Sequence, residues 1–479
     1  MTRTFFVSVI FIILNIAAVH AVFAQEHPEI EKPDVAVDTI NNRYAVVYYK
    51  ESSFYLQIRN LDGSLYVDEL LLSSDSNKWY EPAIAFDPEE QTYLAVWADD
   101  RNAISSANVN SDIYASIISA DGNLVKAEFP ICNNTDIQNN PDIAYDSVNK
   151  KFLVAWHDNR SGFANNRIVG QFVNGKGELL DAASDVNVQI SFGPGFDHFN
   201  PALSFDENNQ QFLIVWGETS ANHDLHGQLL NSDGTLSGSP IIVSNSGRTQ
   251  EFPQVAFSKE ANNFLVTWLD NRHATRSFGY DNYIYGRIVD SAGVPVGEDF
   301  MISKDNGDNR EQRLVYSSKI KSYVVGWNDR IDYTHDDYDT APTGYDIFYQ
   351  TVSSAGVVSS DDPKNAFEYS PTRNGNHTIT STYLFPQLAV NPECGNVLLA
   401  AVETINDRES YIDDGGTYIS NDTDKDTIGQ NFLAGSCDAT TSSTSTDSNE
   451  SSGLALYHEL FLLAALLLLR EFYARRRLR

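Results

Sequence analysis

Carboxylates and arginines recur in pairs along this 479-residue chain, and they are the side chains whose spacing most clearly suggests chemistry. Each pair follows closely after a tryptophan. A guanidinium beside a carboxylate either forms a bidentate ion pair that fixes a loop or, where it is unpaired, holds an anionic ligand. Because a catalytic residue is needed only once and these pairs recur, we expect each arginine to pair with an acid of its own repeat. The same residues are our candidates for a ligand-binding face: Asp99, Arg101, Asp158, Arg160, Asp270, Arg272, Asp329 and Arg330.

A second set of carboxylates suggests a metal. Asp422, Asp424 and Asp426 alternate with Thr423 and Lys425, as oxygen ligands do in calcium-binding loops. The segment lacks the glycine at the sixth position and the late glutamate of such loops. These three aspartates are therefore candidate calcium ligands, with plain surface acidity as the alternative, and calcium is the one cofactor that the sequence suggests.

Motifs that would establish an enzyme are missing from the sequence. We find no serine–histidine–aspartate elbow, Walker loop, GxGxxG or HExxH pattern. The segment from His223 to His226 has no supporting zinc-ligand spacing, and a solvated loop explains it. We assign no catalytic residue, and the sequence favours a protein that is not an enzyme.

A repeat positions the tryptophans. An apolar strand, usually opened by proline, is followed fifteen residues after its first position by the end of a second apolar strand. First positions are Pro33, Pro82, Pro141, Pro201, Pro253, Gln312 and Pro386, and the matching positions are Tyr48, Trp97, Trp156, Trp216, Trp268, Trp327 and Ala401. A repeat of roughly 50–60 residues with several short strands is typical of a β-propeller.

Four strands can be read in the third unit. Its first strand begins at Pro141, its second ends at Trp156, its third spans 167–173 and its fourth spans 186–190. We therefore predict an all-β fold, a seven-bladed β-propeller of four-stranded antiparallel blades, with six or eight blades as alternatives. The first and last units carry Tyr48 and Ala401 in place of tryptophan, and the pattern predicts four strands in each, so we expect the ring to close by blade packing.

Loop length varies on one side of this disc. The loop between second and third strands is a few residues long in the first unit but spans 269–282 in the fifth and 328–344 in the sixth. In a propeller these loops share one face with the connections between blades. We call it the long-loop face and expect it to carry the binding site.

The combination Trp-x-Asp-x-Arg with a later Asp-Ile-Tyr, as in Asp112–Tyr114, resembles the repeats of exported bacterial propellers, and part of it is similar to TolB-type repeats. The resemblance covers residues 33 to about 433 and implies the fold without naming a ligand. Sialidases are also propellers and clamp a carboxylate with three arginines. This chain lacks their repeated Ser-x-Asp-x-Gly-x-Thr-Trp box, so we keep that interpretation only as an alternative.

The chain ends predict export. Residues 1–24 read as a signal peptide, with Arg3, an apolar run and a small-residue cleavage site. Residues 25–436 form the propeller and 437–452 a Ser/Thr-rich linker. Residues 453–479 combine a short apolar helix with five arginines and resemble GlyGly-CTERM sorting signals, although Ser452-Gly453 stands in place of paired glycines; a plain tail anchor is the alternative. We expect the protein at the cell surface or outside the cell after C-terminal processing, and otherwise membrane-anchored.

The net charge excludes some classes of binding partner, and the cysteines allow few disulfides. The full chain carries −32; without both ends, 27 basic and 63 acidic residues leave −36, which argues against nucleic acid and against anionic membrane beyond the tail. Of three cysteines, Cys132 should end the fourth strand of the second unit, and a bridge between Cys394 and Cys437 is not favoured.

These observations predict an exported, surface-associated, non-catalytic propeller that binds an extracellular protein or glycan through its long-loop face. An exported hydrolase or lyase acting on polysaccharide is the first alternative. A calcium-stabilised structural module is the second.

Overall fold

The computed structural model describes residues 31–74, 82–103, 110–160, 166–180, 187–193, 196–219, 223–274, 282–303, 309–331, 344–359, 362–367, 372–374, 377–390, 397–412 and 418–432. The predicted signal peptide, linker and C-terminal segment lie outside these residues, as do Cys394 and Cys437. All named regular elements of the described part are β-strands. Within it, no helix has the length and apolarity that would let it cross a membrane.

Consecutive strands pair into antiparallel sheets, which are the blades of a β-propeller. Sheet 1 contains β1 (Glu31–Asp38), β2 (Arg43–Lys50), β3 (Ser53–Asn60) and β4 (Leu65–Ser73), and sheet 2 contains β5 (Ala83–Asp87), β6 (Thr92–Asp99), β7 (Asp112–Ser119) and β8 (Leu124–Cys132). Sheet 3 contains β9 (Gln138–Asp146), β10 (Lys151–Asp158), β11 (Arg167–Asn174), β12 (Leu179–Leu180) and β13 (Val188–Gln189). Sheet 4 contains β14 (His198–Asp206), β15 (Gln211–Glu218), β16 (Asp224–Asn231) and β17 (Leu236–Ser244).

The remaining sheets continue the order along the chain. Sheet 5 contains β18 (Gln250–Ser258), β19 (Asn263–Asp270), β20 (Tyr283–Asp290) and β21 (Pro295–Met301). Sheet 6 contains β22 (Asn309–Ser317), β23 (Ser322–Ile331), β24 (Gly344–Ser353) and β25 (Lys364–Phe367), and sheet 7 contains β26 (Thr372–Asn374), β27 (His377–Val390), β28 (Val397–Ile412) and β29 (Tyr418–Phe432). The prediction that Cys132 ends a fourth strand is confirmed, and its thiol is free and buried.

The expected blade count is wrong. The described residues form six four-stranded blades, not seven, and the sheet of β9–β13 has five strands. Cys132 follows Leu124 by eight positions in sheet 2, whereas Ser191 follows Leu179 by twelve positions at the matching place in sheet 3. One strand cannot pair with β11 across four extra residues, so the outer edge consists of two short strands, β12 and β13, and only β13 lies within the predicted fourth strand at 186–190.

Sheet 7 also departs from the expected blade. Its fourth member is not an outer strand but the short β26, which pairs with the beginning of β27. The ring closes by packing, because Val35, Val37 and Tyr48 of sheet 1 share a buried cluster with Ala389 and Leu398 of sheet 7. The expectation that no blade is shared between the two chain ends is confirmed.

The tryptophans of the repeat occupy equivalent buried positions on the second strands, as the fifteen-residue spacing predicts. Each is at most 3% exposed and pairs with the third strand of its own sheet: Trp97, Trp156, Trp216, Trp268 and Trp327. Tyr48 takes the same position in sheet 1 and is fully buried. Apolar clusters around these rings join neighbouring sheets, so the core is a series of interfaces between blades.

A recurring hydrogen bond locks each blade to the next. The first residue of a second strand donates a side-chain hydrogen bond to a carbonyl in the turn between third and fourth strands of the following sheet. The bonds are Arg43 to Ala120, Thr92 to Gly175, Lys151 to Ser232, Gln211 to Ser291 and Asn263 to Ser354. The same turns carry glycines in the left-handed region, such as Gly122, where a Cβ would lie 2.5 Å from Val67 of the preceding sheet.

Candidate functional site

The predicted binding-face residues that follow the tryptophans form ion pairs at the ends of the second strands. Arg101 pairs with Asp99 and Glu128, and Arg272 pairs with Asp270 and Asp299, the latter two at 2.6 Å. Bidentate guanidinium–carboxylate contacts of this kind fix geometry strongly. The predicted pairing within each blade is therefore confirmed for Arg101 and Arg272.

The third such arginine joins two sheets. Arg160 contacts Asp158 at 2.5 Å, Asn187 at 2.9 Å and the Sγ of Cys132, the last residue of sheet 2, at 3.2 Å. Its pairing with Asp158 is likewise confirmed. We call the contacts of Arg101, Arg160 and Arg272 the arginine clamps. For the fourth candidate pair, the backbone places Asp329 opposite Asp346 and Arg330 opposite Tyr345.

Two sheets without this arginine compensate in different ways. In sheet 1, Lys50 stands where four other sheets have aspartate, and its ammonium lies 2.9 Å from Glu69, which also accepts from Tyr48. In sheet 4, Glu218 lies 3.2 Å from His198. The charge pattern at the strand ends is thus part of the scaffold, since sheets 1 and 4 form ion pairs at this position with other residues than the arginine clamps use.

One chain of side-chain contacts has the order of a catalytic triad, Ser191 to His198 to Glu218, but not its exposure. Ser191 Oγ lies 2.6 Å from His198 Nδ1, and His198 Nε2 lies 3.2 Å from Glu218. Ser191 is only 1% exposed, and its Oγ also accepts the amide of Ile168. Burial lowers the pKa of His198 to about 4. Two repeats later, Ser303 accepts the amide of Ile284 in the same way. Ser191 is therefore a structural element and not a nucleophile.

The candidate calcium ligands lie in a strand. Asp422, Asp424 and Asp426 belong to β29 and face Arg408, Asn406 and Thr404 in register on β28. Residues at i, i+2 and i+4 of a strand share one face. The sequence suggested a loop, whereas the three aspartates lie within a strand. Elsewhere in the described residues, no group of three His, Cys, Asp or Glu side chains is arranged to hold a metal ion.

A β-bulge in the first strand stands opposite the tryptophan and explains the repeated proline. In sheet 3, Asn140 and Pro141 together face Trp156, and Asn140 has a φ of 51°. Proline fits a bulge because no ladder donor is needed there. Asn200, Phe252 and Glu311 occupy the same bulge position and also have positive φ. Bulges re-aim side chains, and these four line the central cavity.

The cavity of about 640 Å³ is lined by the first strands of the sheets. In sheet 5 its wall includes Asn271 and Asn282, which flank the loop between second and third strands. The cavity therefore opens on the long-loop face. The arginine-clamp residues are not among the residues that line the cavity. The sequence indicated the long-loop face but not the lining residues.

One side chain from each sheet, the residue directly after the repeated proline or glutamine, lines the cavity. This set, which we call the channel ring, comprises Asp34, Ala83, Asp142, Ala202, Gln254, Arg313 and Gln387. Asp34 accepts the amide of Ile84 at 2.8 Å, and Asp142 accepts the amide of Leu203 at 2.9 Å, each from the following sheet. Arg313 donates through Nε to Gln387 Oε1 at 2.9 Å.

Electrostatics single out Asp142 within the channel ring. Desolvation raises its pKa to about 7, and the negative charge of Asp34 adds to the rise, while the amide of Leu203 and the charge of Arg313 oppose it. Asp142 is therefore half ionised near neutral pH. A carboxyl group with such a pKa in a cavity is typical of a functional site.

Sequence reasoning missed the channel ring, although a signal was present. Its members are the residues that follow the repeated proline or glutamine, and they vary between acid, amide, arginine and alanine while their neighbours stay apolar. Variation at one fixed repeat position marks a place that the scaffold does not dictate.

No family model matches the chain, and no curated protein matches it in sequence. Solved structures with a similar fold include the Dos1 propeller, at 10% identity, a TM-score of 0.45, and coverage of 86% of this chain and 94% of that one. An α-L-arabinofuranosidase from Fusarium graminearum, solved with an iminosugar inhibitor, has 12% identity and a TM-score of 0.43, with coverage of 74% of this chain and 92% of that one. Hydrazine synthase of Kuenenia stuttgartiensis has 10% identity and a TM-score of 0.44, with coverage of 71% of this chain and 98% of that one. Similarities this low carry no argument about ligand or reaction.

Proposed function

We propose that this protein is an exported, surface-associated, non-catalytic propeller that binds an extracellular protein or glycan at the mouth of its central cavity on the long-loop face. The observation that carries the proposal is the opening of the cavity on that face, with Asn140, Asn200, Phe252 and Glu311 directed into it by bulges. A concave site with converging polar groups is the usual form of a ligand-binding site.

Exposed aromatic rings on the same face support binding. Phe252 lies at the bulge of sheet 5 and is 46% exposed. Phe192 and Phe196 lie in the connection from sheet 3 to sheet 4 and are 56% and 44% exposed. Connections between blades reach the long-loop face, so these rings offer apolar area beside the polar cavity. Aromatic side chains of this kind dominate binding energy at interfaces.

The state of the cavity carboxylates favours binding over catalysis. Asp34 and Asp142 accept backbone amides of neighbouring sheets, and Glu251 lies 2.9 Å from His223 Nδ1. A carboxylate held in this way orients the scaffold, whereas a catalytic pair must face the scissile bond from both sides.

The test is a binding screen with a matched surface control. Purified protein is applied to arrays of glycans and of extracellular proteins, and hits are measured again with Phe252→Ser. We expect at least about tenfold weaker binding, because an aromatic anchor at the mouth is worth more than about 1.4 kcal/mol. Val294→Ser removes a similarly exposed apolar side chain at the turn between third and fourth strands and should leave binding unchanged. Hits that depend on Val294 and not on Phe252 would contradict the proposal.

A polysaccharide hydrolase is the second candidate, and Asp142 is the observation in its favour. Its raised pKa, beside the charge of Asp34, is what a general acid needs near neutral pH. If the protein releases reducing ends from polysaccharide, Asp142→Asn should lower the rate by about 100-fold or more. Release that persists in the variant would exclude this carboxyl as the acid.

Calcium binding and membrane anchoring stay proposals for the C-terminal part. If calcium binds Asp422, Asp424 and Asp426, EDTA should lower the melting temperature, and the triple Asp→Asn variant should lose that response. Deleting residues 453–479 should give a folded, soluble protein released from the membrane fraction, since the arginines resist translocation. A deletion product that still sediments with membranes would show that this segment is not the anchor.

A further inference from the structure

The channel ring separates opposite charges. Its two carboxylates belong to sheets 1 and 3, on either side of sheet 2, while its guanidinium belongs to sheet 6 with amides from sheets 5 and 7 beside it. Two sheets stand between Asp142 and Arg313 on the shorter way around the channel. The two residues still act on each other electrostatically across the cavity. The ring therefore has an acidic side and a basic, amide-rich side.

The acidic side has room and acceptors. Ala83 and Ala202 occupy the ring positions next to Asp34 and Asp142, so no long side chain covers the carboxylates from those sheets. Asp142 accepts two backbone amides, that of Ile143 at one oxygen and that of Leu203 at the other, out of about four lone-pair directions that a carboxylate offers. A protonated amine is the group that such a pair of acceptors favours, because it supplies three donors and a charge.

The basic side has donors that the described residues leave unused. Arg313 donates through Nε to Gln387 and through Nη1 to the carbonyl of Gln312, and no described acceptor meets its Nη2. Gln387 is 1% exposed and lines the cavity, and its Nε2 has no hydrogen-bond partner among the described groups. A buried donor without a partner is costly, and a ligand acceptor would satisfy it. A carboxylate suits both donors.

We propose that the channel ring binds a small zwitterion of the amino-acid or dipeptide class, with its amine at Asp34 and Asp142 and its carboxylate at Arg313 and Gln387. The cavity of about 640 Å³ accommodates a ligand of this size. This inference goes beyond the proposed function, because it assigns to the cavity a small ligand of its own besides the protein or glycan bound at the mouth.

Binding should also move a proton. Asp142 is half protonated near pH 7, and an amine selects its ionised form. Affinity should therefore fall as pH falls: with a pKa of about 7, the dissociation constant rises about fifteenfold from pH 7.0 to pH 5.5. Over that window an α-amine stays protonated and an α-carboxylate stays ionised, so the change reports the protein group. The other charged residues that line the cavity are Glu251, Arg310 and Glu311, and His223 pairs with Glu251.

The test is calorimetric titration of the full-length protein with glycylglycine and with each of the twenty amino acids. At least one should bind with a dissociation constant below about 1 mM, and its N-acetyl and its amide derivatives should each bind at least about tenfold more weakly. This comparison uses unmodified protein, so it stays decisive even if a variant folds poorly. Absence of binding by every probe, or equal binding of the blocked derivatives, overturns the proposal.

Variants then locate the two charges. Asp142→Asn should weaken binding and abolish its dependence on pH, and Arg313→Gln should weaken binding of the free acid without affecting that of the amide. Glu89→Gln removes an exposed carboxylate far from the cavity and serves as control. If array hits still depend on Phe252 while no zwitterion binds, the zwitterion proposal fails and the wider binding proposal stands. If neither is seen, both fail.

Discussion

The arginine clamps and the channel ring use the same residue types for different ends. In the clamps, Asp158 and Asp270 are buried, and each accepts a hydrogen bond from the indole of the tryptophan two residues before it. Each also forms an ion pair with an arginine of its own blade. In the ring, aspartate occurs only at Asp34 and Asp142 and arginine only at Arg313, and all three face a shared cavity. The difference teaches that residues repeated from blade to blade build this propeller, whereas the residues that vary at a fixed position are free to bind.

Removing a repeated tryptophan should have the largest effect. Trp156→Ala deletes a fully buried ring between sheets 2 and 3, and we expect a loss of about 3–5 kcal/mol in the free energy of unfolding. Chemical denaturation monitored by circular dichroism measures it. A loss below about 1 kcal/mol would mean that the interfaces between blades do not hold the ring together.

Breaking a clamp should come next. Arg272→Ala leaves the buried Asp270 and its neighbour Asp299 without their counter-charge, which should lower the free energy of unfolding by about 3 kcal/mol.

The control for that clamp is Lys259→Ala, which breaks an exposed pair with Glu207 and should change stability by less than about 0.5 kcal/mol. Similar losses in both variants would remove the distinction between a clamp and a surface pair.

The turns that lock the blades should show a smaller, steric effect. Gly122→Ala places a Cβ against Val67 at a φ of 81°, and we expect about 2–3 kcal/mol of destabilisation from clash and backbone strain together. Gly247→Ala has a φ of 82° and no atom within 4 Å of the new Cβ, so it isolates the backbone part at about 1 kcal/mol. Equal melting temperatures for the two variants would show that contact with the preceding blade is immaterial.

The channel ring should behave in the opposite way, with the smallest effect and a dependence on pH. The folded pKa of Asp142, about 7, lies above its ordinary value, so the folded state binds this proton more tightly than the unfolded chain does. The associated stability is fully present below about pH 4 and is lost as pH rises through 7.

The unfolding free energy of Asp142→Asn, relative to that of the unmodified protein, should therefore rise by about 1–2 kcal/mol as the pH is raised from 4 to 8. The effect is limited to this size because the half-buried site is partly screened. Melting curves of both proteins across that range provide the measurement. A difference that does not change with pH would show that Asp142 is as structural as the clamp acids.

Much of the scaffold could be predicted because its signals are local. The spacing from proline to tryptophan survives in the fold as a bulge facing a buried ring, and Arg101, Arg160 and Arg272 find acids only two residues away. The four-strand rule failed where the chain departs from the period: four extra residues divide the outer strand of sheet 3, and sheet 7 takes β26 at its other edge.

The sequence by itself determined the repeat, the buried tryptophans and the ion pairs, since each depends on residues within one blade or at a constant register. Only the tertiary structure decided that Asp34, Asp142, Arg313 and Gln387 meet. They lie in four different blades, up to 353 positions apart, and no strand pairing within a sheet brings them together. Their neighbourhood is created by the closing of the ring, which turns one repeat position into a circle around a single cavity.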